Sequence, residues 1–224
     1  MKKGFTLAEV LITLVIIGVI AAMTIPTLMN KTNEQETVTA VKKAYSVLGQ
    51  AYQKVIAENG EIIPSELGNA SEAIRKFGDL LVKHLSVTGT GDYVNNANDD
   101  LYTFFDGSGQ FGWNTSADAY YKIRLNDGMS IRMYVYNDYV IIGNTNRMKT
   151  CFGYFLVDVN GDKGPNIIGK DTFQFDLMKN GILPAGLPDD LNRPLSDCRG
   201  QGFGCAAWVI TKGNMDYLRK DVSW

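Results

Sequence analysis

The chain has 224 residues, of which 45% are hydrophobic and 11% aromatic, enough for one sizeable folded domain once an apolar first stretch is set aside. Lys and Arg total 22 and Asp and Glu total 24, so the formal net charge of -2 gives no overall basic field that would gather nucleic acid. One histidine and three cysteines leave little for a histidine-based catalytic pair or a thiolate-rich metal site, and the composition favours a protein that is not an enzyme.

The first element is a predicted membrane helix. Lys2 and Lys3 precede an apolar run that continues to Met29, long enough for the roughly 20 residues that span a bilayer. Because positive charge stays on the cytoplasmic side, the rest of the chain is expected across the membrane. The alternative is a cleaved secretory signal with a small-residue cut near Ala21 and Ala22.

A single carboxylate, Glu9, lies inside this run, and no other charged residue occurs between Phe5 and Met29. A charged side chain near the middle of a membrane costs roughly 2.5 to 3.5 kcal/mol, and less toward the edge, unless a partner compensates. A positively charged partner for Glu9 is therefore expected.

Gly4, Phe5 and Glu9, after a short basic leader, resemble the type IV prepilin signature. The resemblance implies that a prepilin peptidase cuts after Gly4 and methylates the new amino terminus, Phe5. It also implies that Glu9 is an assembly residue, which pairs with the terminal amine of a neighbouring subunit. Gly18 and Pro26 fall where many pilins carry a helix-weakening glycine and a proline, and a kink or local break is expected there. Pro26 marking only the membrane exit stays the alternative.

A second helical pattern follows Asn30 without an irregular segment between. Apolar residues recur there at alternating spacings of three and four, which is one face of a helix: Val38, Val41, Tyr45, Leu48, Tyr52 and Val55. Glu58, Asn59 and Gly60 supply a polar end with a helix-stopping glycine. The sequence thus predicts one long helix whose second half packs on a sheet.

A further amphipathic segment follows Ser71, which is a possible N-cap. His84 lies on the apolar side of this segment and is expected to be partly buried rather than a metal ligand. Six later segments are predicted strands: YYKIRL, MSIRMYVY, YVIIG, FGYFLVDV, DTFQFDLM and AAWVITK. Asn126, Asp127 and Gly128 give a hairpin signal between the first two. The predicted class is α+β and pilin-like, with the long helix on a mainly antiparallel sheet and a C-terminal loop region.

One loop has the spacing of a calcium site. In the segment DVNGDKGPNIIGKD, short oxygen-bearing side chains stand at the first, third, fifth and ninth positions, and Asp171 follows. The twelfth position is Gly169 rather than a carboxylate, and the alternative is a tight turn held by side-chain to backbone hydrogen bonds. The predicted calcium ligands are Asp158, Asn160, Asp162, Asn166 and Asp171.

The three cysteines allow three single pairings. Cys198 and Cys205 flank RGQGFG, a short glycine-rich loop that closes easily in an oxidising compartment, and pilins often close a C-terminal loop in this way. We favour this pair, with Cys151 a buried free thiol, while a bond from Cys151 to either of them is the main alternative. A zinc site of the cysteines with His84 has no close ligand pair to support it. The acidic pair Asp189 and Asp190 lies in turn-like sequence and is expected to be exposed.

The sequence predicts a leader at residues 1–4, a transmembrane and filament-core helix at 5–29, an amphipathic continuation at 30–59 and a head domain at 60–224. The predicted function is a structural subunit of a type IV pilus or related filament. The alternatives are a pseudopilin of a type II secretion system and a membrane-tethered binding domain that never polymerises. The expected partners are other pilin subunits, the processing peptidase, an inner-membrane assembly platform and lipid. The expected location is the inner membrane with an extracytoplasmic head, then a filament outside it.

Overall fold

The computed structural model describes residue 4 and residues 6–90, 101–112, 120–161 and 163–224. The chain divides into two compact units, Met1–Glu36 and Thr37–Trp224. Helix α1, Leu7–Asn59, contributes residues to both. The predicted leader ends at residue 4 and the predicted head begins at residue 60, so neither boundary coincides with the one between the two units, and both stay predictions.

The first unit consists, among its described residues, of the first part of α1 and the residues just before it. Gly18 and Pro26 both lie within the bounds of α1, so neither residue ends the helix. The predicted weakening of the helix at these two positions stays a prediction.

In the second unit, α1 buries the predicted stripe. Val41, Leu48, Tyr52 and Val55 are fully buried, as expected for residues that recur on one face of a helix. Gly60 adopts a left-handed φ of +79°, and its N–H donates to the carbonyl of Ile56 at 2.8 Å, which closes the last turn. The predicted amphipathic helix and its glycine stop are confirmed.

Helix α2, Ala70–Val82, follows. Its N-cap is Asn69 rather than Ser71, because the Asn69 side chain accepts a hydrogen bond from the N–H of Glu72 at 3.0 Å. Ile74, Phe77 and Leu81 on its inner face are buried.

Eight strands are found in the described residues: β1 Val87–Thr90, β2 Leu101–Thr103, β3 Gln110–Gly112, β4 Tyr121–Leu125, β5 Ser130–Val140, β6 Cys151–Asp158, β7 Thr172–Met178 and β8 Gly181–Pro184. Six of them form one sheet in the order β1-β4-β5-β6-β7-β8, while β2 and β3 form a separate hairpin. Every named pairing is antiparallel. This architecture confirms the predicted α+β class.

Two predicted strands are wrong. YVIIG is not a strand of its own, because Tyr139 and Val140 extend β5, which is 11 residues long. AAWVITK forms helix α3, Ala206–Lys212, which ends at Gly213 with a left-handed φ of +67°. A seven-residue apolar run is too short for its periodicity to separate strand from helix, and the glycine behind it is the helix signal.

The main core lies between the sheet and the two longer helices. Aromatic pairs contribute to it: Tyr45 stacks on Phe175 with ring centroids 5.6 Å apart, and Phe77 meets Phe152 edge to face at 5.6 Å. Side chains alternate between the two faces of a strand, so the neighbours of Phe175 on β7, Gln174 and Asp176, point to the opposite face. That second face carries most of the buried polar side chains of the head: Arg132, Asp158, Thr172, Gln174 and Asp176.

Candidate functional site

The start of α1 brings Thr6 and Glu9 together. The Glu9 carboxylate accepts hydrogen bonds from the N–H and the hydroxyl of Thr6, both at 2.8 Å, and the Glu9 N–H donates to the Thr6 hydroxyl oxygen at 3.3 Å. These reciprocal bonds form a capping box, in which each side chain satisfies a backbone N–H of the first turn. Sequence reasoning missed this second role of Glu9, although the T-x-x-E pattern that signals it is present.

The predicted cleavage site lies directly before this capping box. Gly4 is exposed and precedes the helix, so the bond that follows it is not part of α1. Phe5 and the two lysines of the leader lie outside the described residues.

After the capping box, α1 presents apolar side chains on all sides. Residues such as Leu11, Val15 and Ile17 are more than half exposed in this chain, which is the surface a lipid or another apolar helix would cover. Among the described residues, α1 is the one helix long and apolar enough to cross a membrane. These features fit a membrane-anchored single-pass protein.

In the predicted calcium loop, backbone N–H groups donate hydrogen bonds to the carboxylates of Asp158 and Asp171. One Asp158 carboxylate oxygen accepts from the N–H of Asn160 at 3.1 Å and of Gly161 at 2.9 Å, while the other accepts from the Tyr102 hydroxyl at 2.9 Å. Asp171 accepts from the N–H of Asn166 at 2.9 Å and of Ile167 at 2.7 Å. These contacts have the form of the tight hydrogen-bonded turn.

The loop also retains features that an oxygen-seeking cation would use. Burial raises the pKa of Asp158 to about 7, and the charge of Asp171 adds to this rise. The side-chain oxygens of Asn160 and Asn166 are buried and have no hydrogen-bond partner within the part of the chain that the structure describes. Asp162 lies outside the described residues, and within the described part of the chain no three acidic, histidine or cysteine side chains form a metal-holding group. Calcium binding here stays a prediction.

Cys198 and Cys205 are joined by a disulfide, with Cα atoms 4.6 Å apart. The bond closes a loop whose Gln201 and Phe203 N–H groups donate to the carboxylate of Asp197, the residue just before it. Cys151 is a buried free thiol, and burial raises the pKa of this thiol well above its usual range. Bonded sulfurs offer no thiolate, so the structure provides no zinc site from these cysteines and His84.

His84 and Asp190 show how the remaining polar candidates are used. His84 lies just after α2 with its Nε2 atom 3.2 Å from a carboxylate oxygen of Glu58 at the end of α1, which makes it a contact between helices.

The expectation that Asp190 is exposed is wrong. Its side chain is buried and accepts backbone hydrogen bonds from Gly186, Asn192 and Arg193, because it organises the turn that follows β8.

Comparison with protein families matches residues 1–25 to the prokaryotic N-terminal methylation motif. No curated protein sequence and no solved structure matches the chain significantly. The matched segment contains Gly4, Phe5 and Glu9, the residues on which the prepilin resemblance depends. The motif is the hallmark of prepilins, which are precursors of structural subunits rather than of enzymes. The chain therefore carries the amino-terminal methylation motif of a type IV pilin-like or pseudopilin precursor.

Proposed function

We propose that this protein is a structural subunit that polymerises through the first half of α1 into a type IV pilus or a related filament. The observation that carries the proposal is the combination of the methylation motif at residues 1–25 with a carboxylate, Glu9, at the start of an exposed apolar helix. Cleavage after Gly4 by a prepilin peptidase would make Phe5 the first residue. An inner-membrane assembly platform would then move the subunit from lipid into the filament.

The apolar side chains of α1 support this route because two environments can cover them. In the precursor, lipid covers the helix, and the head that follows lies outside the cytoplasm. In a filament, the same side chains pack against identical helices of neighbouring subunits. Exchange of one apolar environment for another costs little, so a small favourable contact can decide between them.

Glu9 supplies such a contact. In the single subunit, its charge is stabilised by the hydrogen bonds from Thr6. A terminal amine from an adjacent subunit would add an ion pair, and an unpaired carboxylate in apolar surroundings costs far more than one in water. This ion pair would stabilise the subunit in the filament but not the single subunit in the membrane.

The first experiment is intact mass and amino-terminal sequencing of the membrane form and of any filament sheared from the same cells. A methylated Phe5 terminus in both supports the proposal. A chain that begins near Met23 would mean a secreted globular protein, and the proposal would be wrong.

Substitution at Glu9 separates a filament subunit from a tethered binding domain. Glu9→Ala should leave processing largely intact and reduce incorporation into filaments, whereas Glu36→Ala, on an exposed position of the same helix, should not. Thr6→Ala removes the capping box but keeps the carboxylate. If Thr6→Ala reduced incorporation as much as Glu9→Ala, capping rather than intersubunit pairing would explain the effect.

A pseudopilin of a type II secretion system is the second candidate. Calcium binding by the Asp158–Asp171 loop would favour it, because some pseudopilins bind calcium near the corresponding loop. Long surface filaments that contain the subunit would favour the pilus.

A further inference from the structure

A row of side chains crosses the sheet on the face opposite α1. The strand register pairs Tyr134 with Tyr154, Tyr154 with Asp176, and Asp176 with Leu183, so these four side chains share one face across β5, β6, β7 and β8. Asp176 is the one acidic member of the row, and its side chain is 2% exposed. The row thus places a carboxyl group inside the protein between aromatic and aliphatic neighbours.

Asp176 receives much less hydrogen bonding than the other buried carboxyl group near it. One of its oxygens accepts from the side-chain amide of Gln174 at 2.7 Å, and its Oδ2 atom has no partner among the described residues. Asp190, 3% exposed, accepts from three backbone N–H groups instead. Backbone donors stabilise a buried negative charge, so the surroundings of Asp190 suit a carboxylate and those of Asp176 suit the neutral acid.

The groups that face Asp176 come from two neighbouring strands and from the segment that follows β8. Tyr154 and Cys151 lie on β6 and Tyr136 lies on β5, while Asp190 and Arg193 come from the segment that follows β8. The Arg193 guanidinium lies over the ring of Phe203, 4.6 Å from its centroid, and Arg193 makes no ion pair with Asp176. One negative charge and one positive charge therefore stand close to a carboxyl group that pairs with neither.

We propose that Asp176 is a proton-controlled switch whose side chain is neutral in the packed head. Its ionisation loosens the segment 186–193, because the new charge repels Asp190 and draws Arg193 away from Phe203. The expected movements of Asp190 and Arg193 follow from the position of the new charge. A new negative charge on Oδ2 would be repelled by the charge of Asp190 and attracted by the charge of Arg193, both of which act on Asp176. Because Phe203 lies inside the disulfide loop, a displaced Arg193 also releases one contact of that loop.

Titration chemistry agrees with this geometry. Burial raises the pKa of Asp176 to about 7, and the charge of Asp190 contributes, while the Gln174 hydrogen bond and Arg193 act in the opposite direction. The unfolded chain releases this proton near pH 4 and the folded head near pH 7. Between these values, each pH unit lowers the folding equilibrium constant about tenfold, to roughly a thousandfold in all. The ionised, loosened form becomes populated around pH 7 and above.

The test uses the full chain in detergent micelles, with amide hydrogen exchange measured from pH 6 to pH 8.5 and corrected for the intrinsic rate. The informative amides are those that bond to Asp190, on Gly186 and Arg193. In the wild type, their protection should fall at least tenfold across this range. In Asp176→Asn, which keeps a neutral side chain of the same shape, protection should stay constant. Asp190→Asn removes the repelled charge, so protection there should be lower than in the wild type at pH 6 and should fall less as the pH rises.

Two results would overturn the proposal. One is an Asp176→Asn variant whose Gly186 and Arg193 amides lose protection with pH as the wild type does. The other applies even if that variant fails to fold: carbon-13 NMR of the wild-type carboxyl groups that shows Asp176 titrating near pH 4 rather than near pH 7.

Discussion

Tyr52 gives the sharpest test of how α1 is held on the sheet. Its side chain is fully buried, and its hydroxyl donates to the carbonyls of Met178 at 2.8 Å and Lys179 at 3.1 Å, at the turn between β7 and β8. Tyr52→Phe keeps the ring and its contacts with Phe77 and removes only the hydroxyl. Both carbonyls then lose a donor, and the Met178 bond is buried. We expect a loss of about 2 kcal/mol in the free energy of unfolding.

Tyr45→Phe is the matched control, because the Tyr45 hydroxyl lies 3.4 Å from the carbonyl of Ile182 in a partly buried position and makes a much weaker bond. For a domain of this size, about 2 kcal/mol lowers the melting temperature by roughly 4 to 8 °C, and the control should shift it by less than about 2 °C. The assay is thermal unfolding of the detergent-solubilised chain followed by near-UV circular dichroism, which reports the packing of aromatic side chains. Equal shifts in the two variants would refute the reasoning.

The remaining predictions concern β6, the disulfide and the acidic loop. Gly153→Ala should lower the free energy of unfolding by about 1–3 kcal/mol, measured by urea denaturation, because its Cβ would lie 2.2 Å from a backbone carbonyl oxygen of β5; wild-type stability would contradict this close approach. Replacing Cys198 and Cys205 by Ser should cost about 2–3 kcal/mol for a loop closed at a sequence separation of 7, and non-reducing peptide mapping of the wild type should recover the two as one linked fragment. Calcium at a hundred times its dissociation constant should stabilise the head by about 2.7 kcal/mol, and Asp158→Asn should abolish this gain; no change in melting temperature with calcium would exclude the site.

The sequence predicted the elements whose apolar patterns are long. The stripe from Val38 to Val55 covers several helical turns, so its period distinguishes a helix from a strand. The hairpin between β4 and β5 was predicted because Asn126, Asp127 and Gly128 are turn residues between two alternating runs.

Segments that are short, or that offer two equally good local signals, are predicted less well. The apolar run of α3 fits a buried strand as well as a helix until the left-handed Gly213 behind it is taken into account. Ser71 and Asn69 are both good N-caps, and only the Asn69 side chain reaches a backbone N–H of the first turn.

The buried carboxyl groups could not be predicted at all from local pattern. Asp190 was expected in solvent because it follows another aspartate in a turn, and its burial depends on three backbone donors that surround it only after the chain folds. Asp176 alternates correctly with Phe175 and Leu177, but alternation predicts only that it lies on the other face of β7. Whether that face is exposed to solvent or covered depends on other segments, such as residues 186–193, which the local pattern does not describe.

The capping box of Thr6 and Glu9 has a consequence for the proposed processing step. Cleavage after Gly4 would replace a neutral peptide bond by an ammonium group directly beside the positive end of the α1 helix dipole, where a cation is unfavourable. Methylation of an amine keeps its charge. The Glu9 carboxylate lies in the first turn of that helix and offsets both the dipole and the new ammonium within one subunit. If the chain is processed as proposed, the same side chain would keep the cut end of the helix wound until a second subunit pairs with it.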